Sequence, residues 1–138
     1  MTAFVEDYAE FMTNLSVDTL PDLSQHVTSD VFFRDPFNEV TGIDKMHQIF
    51  AHMFETMGAV RFKILHCAMS GETGLLYWSM AATLRGKPWE FEGMTKVEFD
   101  NEGRAVSHVD HWDAAREFYE YFPIIGWALK TIRQKIAL

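Results

Sequence analysis

The chain has 138 residues, of which 48% are hydrophobic, 14% aromatic and 23% charged. This is the balance of one globular domain long enough to bury a core. A net charge of −8 argues against a polyanionic partner such as nucleic acid. Cys67 stands alone, so neither an internal disulfide nor a cysteine cluster can form.

The start, "MTAFVEDYAE", has no basic segment followed by an apolar run. It is read as carrying no secretory signal, and a cytoplasmic location is expected. Phe4, Val5, Tyr8, Phe11, Met12 and Leu15 recur at helical spacing and predict an amphipathic first helix. "SVDTLPDLSQHV" predicts a short second helix, with Asp18 or Thr19 as cap and Pro21 in its first turn. "VFFRDP" reads as a brief strand ended by Pro36. Gly42 opens a third helix with the stripe Ile43, Met46, Ile49, Phe50, Met53, Phe54 and Met57. Its methionines read as core filler able to line a cavity wall as well.

After Gly58 the period becomes two. "VRFKILHCAM" places Phe62, Ile64 and His66 on one face, with Arg61 and Lys63 on the other. "LLYWSMAATLRG" and "WEFEGMTKVEF" are strands around the tight "RGKP" turn, and "DNEG" turns the chain into the last strand, "RAVSHVDHWD". Residues 114–138 are helical in pattern, broken near Pro123 and Gly126. Helices gather early and strands late, which predicts an α+β fold. The expected architecture is a cone: a curved antiparallel sheet wrapped on the N-terminal helices over residues 1–113, with a helical extension over 114–138. Concave folds of this kind favour small-ligand pockets.

These residues carry a resemblance. "FFRDPF" before a glycine-opened helix, together with "FDNEGRAVSHVDHWD", is similar to the SnoaL-like branch of the nuclear transport factor 2-like superfamily. That superfamily includes ketosteroid isomerases, polyketide cyclases, limonene epoxide hydrolase and scytalone dehydratase. The resemblance covers roughly residues 4 to 113 and speaks to fold more than to activity. It implies that Asp35, in the Asp–Pro pair, occupies the place of the isomerases' proton-shuttling base. It places Thr95 where those enzymes carry a protonated Asp, and Tyr8 or Phe11 near their oxyanion-binding Tyr. Thr95 is not an acid, so the isomerase oxyanion hole is not reproduced as such. On the closing strand, the hydrolases and cyclases deliver a pocket-facing acid, and Asp110 matches it. Pairing of two copies through the open face of the sheet is also implied.

Strand alternation divides the cluster "SHVDHWD" into two sets. His108, Asp110 and Trp112 share one face, which the family register turns inward. Ser107, Val109, His111 and Asp113 share the other, where Asp113 can cap the following helix. A metal would need about three converging ligands. One face offers His108 and Asp110, joined by Asp35 or His66, and no HExxH-type spacing supports a metal. No cofactor is expected.

Two readings follow. In the first, Asp35 and Asp110 are an acid–base pair in an apolar pocket, with His108 able to hold Asp110 ionised. The substrate is then a small apolar molecule, and the reaction an isomerisation, cyclisation, dehydration or hydrolysis. The pocket would be lined by Phe33, Phe62, Trp78, Met80, Thr95 and Trp112, with Tyr8 as a hydrogen-bond donor. In the second, Asp35 is only a turn residue, and the chain is a non-catalytic module that binds a hydrophobic ligand or dimerises. Tyr77, Val109 and Phe91 are read as an apolar outer face suited to a homodimer. The tail carries four bases against two acids, so it is +2 and residues 1–113 are −10. Its apolar stripe reads as a helix packed on the domain or on a partner subunit, with contact to a membrane surface as the alternative.

Overall fold

The computed structural model describes residues 2–138. Helix α1 (Thr2–Thr13) leads through a 3-10 helix (Leu20–Gln25) into β1 (Val27–Arg34) and β2 (Glu39–Thr41). Then come α2 (Ile43–Met57), β3 (Arg61–Ser70), β4 (Thr73–Leu84), β5 (Lys87–Phe99) and β6 (Ala105–His111). The tail consists of α3 (Ala114–Glu117), a 3-10 turn (Tyr119–Tyr121) and α4 (Pro123–Ile136).

The strands form one sheet in the order β2-β1-β6-β5-β4-β3. The expected α+β architecture is present, with two differences. The sheet has six strands, and β1 runs parallel to β6, so the sheet is mixed. The segment around "VFFRDP" is also longer than its apolar run suggests. It begins at Val27, because the polar Thr28, Ser29 and Asp30 continue it along a partly exposed stretch. The parallel pair sets Phe33 beside His108. The second helix is 3-10 in type. Thr19 sits at its N-cap without a side-chain cap bond, and Pro21 lies in its first turn.

Strand β5 alternates strictly. Trp89, Phe91, Gly93, Thr95 and Val97 are buried, while Glu90, Glu92, Met94, Lys96 and Glu98 are exposed. Phe91 therefore belongs to the inner face, not to the outer surface expected of it. Val109 does lie on the convex side, but it is buried, flanked in register by Arg34 and Lys96. In β3 the pairing slips between Ile64, opposite Trp78, and His66, opposite Tyr77. The extra residue moves His66 out of the row of Phe62 and Ile64. His66 instead stacks on Tyr77, with the ring planes 4° apart. The core fills the concave side, where Val5 and Tyr8 of α1, Met46 of α2, Phe33 and Leu76 are almost fully buried.

The first part of the tail is bound to the domain. Trp89 Nε1 donates to the Glu117 carbonyl at 2.7 Å, and Arg85 lies over the Phe122 ring at 4.6 Å. Asp113 caps α3, accepting from Arg116 N at 3.0 Å. Helix α4 packs back on the 3-10 turn. Arg133 donates twice to Glu120 at 2.9 Å, and these bonds hold that carboxyl below the usual range. Gly126 permits the approach, since a Cβ there would lie 2.2 Å from the Glu120 carbonyl oxygen. Ile124, Trp127 and Ile136 stay exposed, so the tail is only partly the packed helix expected. Among the described residues no helix is long and apolar enough to cross a membrane.

Candidate active site

The concave side holds a cavity of about 680 Å³. Behind it lies a chamber of about 30 Å³, room for about one water molecule. Phe50, Phe62, Trp78 and Asp110 line both.

The deep end is a hydrogen-bonded series running from β4 to α1. Trp78 Nε1 donates to Thr95 Oγ1 at 2.7 Å. Thr95 Oγ1 donates to Asp110 Oδ1 at 2.5 Å. His108 Nε2 lies 2.9 Å from the same oxygen, and His108 Nδ1 lies 2.7 Å from the Tyr8 hydroxyl. A carboxylate can only accept, so Nε2 carries a proton, and in the neutral ring Nδ1 then accepts from Tyr8. Burial pushes the Tyr8 phenol well above its ordinary value, with the Asp110 charge adding to the rise, so Tyr8 remains a donor. His108 is 3% exposed and stacks on Phe33 at 5.1 Å. No hydrogen bond reaches Asp110 Oδ2 among the described residues, and Asp110 lines both spaces.

Local backbone choices explain why this series closes. Trp78 lies across β5 at Gly93, where a Cβ would come within 2.5 Å of the indole. Any larger residue would push the ring away from Thr95. Thr95 and Asp110 face each other directly across the β5–β6 pair.

Asp35 lies at the mouth, in the turn between β1 and β2. Its Oδ1 accepts from Phe37 N at 2.8 Å and Asn38 N at 2.7 Å, with the Asn38 side chain 3.2 Å away. This is the turn role that an Asp–Pro sequence suggests. Asp35 also lines the large cavity. Burial pushes its carboxyl above the ordinary value against the pull of those hydrogen bonds, and the charge of Asp110 adds to the rise.

The residues expected at the site divide accordingly. Phe33, Asp35, Phe62, Trp78, Met80, Asp110 and Trp112 line the large cavity. Tyr8, Thr95 and His108 line only the inner chamber, behind Asp110. Tyr8 thus supports His108 rather than facing the larger space. His66 is excluded by the slip in β3, and among the described residues no three His, Cys, Asp or Glu side chains converge as metal ligands.

Sequence reasoning missed most of the mouth. Phe37, Phe118 and Tyr119 come from a turn and the tail, where no periodicity marks them. Lys45, Gln48, His52 and Thr56 form a polar row on α2 along the rim. Their i, i+3, i+7, i+11 spacing beside the apolar stripe was the available signal.

Known proteins share this fold. The chain superposes on an NTF2-like protein of unknown function from Burkholderia pseudomallei with a TM-score of 0.71 at 21% identity, covering 83% of this chain and 91% of that one. It is similar to a putative SnoaL-like polyketide cyclase from Jannaschia sp. with a TM-score of 0.72 at 9% identity, covering 83% and 89%. An LEH-like epoxide hydrolase of M. tuberculosis gives a TM-score of 0.68 at 20% identity, over 85% and 88%. No curated protein matches the chain. At these identities the structures establish an NTF2-like fold and nothing finer. The SnoaL-like domain profile matches residues 5–108, most of the chain and nearly all of the cone. The chain belongs to the SnoaL-like domain family.

Proposed function

We propose that the protein is a cofactor-free acid–base enzyme acting on a small, largely apolar substrate held in the large cavity. One observation carries this reading: Asp110 is fixed through Oδ1 by two donors, while Oδ2 has no hydrogen bond among the described residues and the side chain borders an apolar space. A base held this way keeps one oxygen for substrate and spends no reorganisation on the other. Asp110 takes a proton from the substrate or from a water. Asp35, raised by burial, is the second carboxyl and returns a proton. Thr95, His108 and Tyr8 position Asp110. The related cyclase and epoxide hydrolase structures support chemistry of this class.

The test is exchange or turnover of a panel of apolar ketones, enols and epoxides, followed by NMR in heavy water. An active compound should lose at least about a hundredfold in rate with Asp110→Asn, the usual scale of a general base. Full activity in that variant would sink the assignment.

A second reading has its own observation. Three hydrogen bonds to Oδ1 occupy Asp35, which suits a turn residue in a module that only binds a ligand. Binding without turnover across the panel would favour it. Either reading includes a homodimer through the convex face, where Leu75 and Met94 are exposed. A monomer by light scattering at high micromolar concentration would remove that part.

A further inference from the structure

The mouth-side wall of the cavity is aromatic, and the same pocket holds two carboxyl groups. Phe37, Trp89, Phe91, Trp112, Phe118 and Tyr119 come from separate segments and meet there. Phe91 and Trp112 lie 4.3 Å apart, Trp89 and Phe91 4.7 Å, Phe37 and Phe118 5.0 Å, and Phe37 and Trp112 5.4 Å. Asp35 and Asp110 border the same space. Asp110 has both its hydrogen bonds on Oδ1. Residues 1–113 as a whole, these two carboxyl groups included, carry −10.

Aromatic rings present negative faces, and several of them beside a carboxylate attract an organic cation more strongly than a neutral group of the same shape. The net negative charge of the domain extends that preference to the approach. Lys45 is the lining cation, and it sits exposed on the rim, where water screens its opposing charge. A purely hydrocarbon ligand would leave Asp110 Oδ2 without a partner in a half-dry space, at a cost that a cationic ligand avoids.

We propose that the ligand of this cavity carries a positively charged amine, tertiary or quaternary, seated among the mouth-side aromatic rings on the way to Asp110, with its apolar body filling the rest. This rests on the reading that the cavity binds the substrate and adds the substrate's charge.

The test uses two probes of one shape. (3-Hydroxyphenyl)trimethylammonium and 3-tert-butylphenol differ in the charge of one substituent. The indole N–H resonances report position: Trp89 and Trp112 line the cavity, whereas Trp127 is 70% exposed on α4 and marks surface adsorption. The cation should shift Trp89 and Trp112 saturably and bind at least about tenfold more tightly than the neutral probe. Asp110→Asn should shrink that ratio by weakening the cation more than the neutral probe. Phe118→Leu, which keeps an apolar side chain and removes a ring, should weaken the cation more than the phenol. Equal affinity of the two probes at Trp89 and Trp112 overturns this inference and leaves the cavity reading intact. Shifts confined to Trp127, or no shift from either probe, overturn both.

Discussion

The deep end and the mouth of the cavity are built on different principles. At the deep end, Trp78, Thr95, Asp110, His108 and Tyr8 are borne by regular elements, and each side chain is hydrogen-bonded to the next. Among the described residues no buried side-chain nitrogen or oxygen lacks a hydrogen bond. At the mouth, the walls come from a turn, a helix rim and the tail, and aromatic contacts predominate. A buried polar series is costly to interrupt because its remaining members lose a partner where no water can replace it. An aromatic cluster near solvent tolerates the loss of one ring. The first arrangement suits holding a reactive group still, and the second suits admitting a ligand.

The largest expected stability effect tests the deep end. Tyr8→Phe keeps the ring and leaves His108 Nδ1 without its donor, which should cost about 1–3 kcal/mol in chemical denaturation. A loss near zero would show that the series is not a structural unit. The same change should also lower any Asp110-dependent turnover without altering ligand affinity, since Tyr8 acts through His108.

At the mouth the expectation is smaller. Phe118 is half-buried, and Phe118→Ala should cost about 1 kcal/mol or less while weakening ligand binding severalfold. A destabilisation as large as that of Tyr8→Phe would erase the distinction between the two ends.

The smallest effect concerns pH. Because Asp35 is raised in the folded state, the native chain holds that proton more tightly than the unfolded chain does. Its contribution is fully present below the ordinary aspartate value near 3.8 and is lost as pH rises through the folded value. Asp35→Asn keeps an oxygen for the Phe37 and Asn38 amides and removes the titration. Denaturation midpoints of wild type and variant, measured from about pH 3 to pH 7, should therefore diverge, with the wild type losing ground as pH rises. Parallel curves would mean that Asp35 is effectively solvated. Burial, not the charge of Asp110, is the larger cause of the rise, so Asp110→Asn should move Asp35 only part of the way back.

How far the sequence could be read follows the same division. The deep end was legible because alternation in β6 puts His108 and Asp110 on one face, while the family resemblance turns that face inward and places Thr95 beside it. What alternation could not show was the order of hydrogen bonds, which depends on Gly93 letting Trp78 lie flat across its neighbour. His66 was assigned to the wrong face because one extra residue in β3 has no sequence mark. Phe91 shares the inward row of Trp89, Thr95 and Val97, so placing Thr95 in the pocket already implied that Phe91 faces inward as well. The mouth was mostly illegible. Phe118 and Tyr119 reach the cavity where the Trp89 indole grips the tail backbone at Glu117, and a contact that distant leaves no local pattern.

The parallel pairing of β1 with β6 has a consequence for how the molecule is made. Phe33 and His108 become neighbours only when a strand from the first quarter of the chain meets one from the last. Everything between them must be synthesised first, and the loop closed is long, which slows such pairings and leaves β1 waiting with an open edge. During synthesis the helices and the β3–β5 meander can form early, whereas the Asp110 series is assembled near the end, with the tail emerging after it. Nascent chains halted before residue 105 should therefore be protease-sensitive around β1, and those that reach residue 113 should gain protection there in a single step.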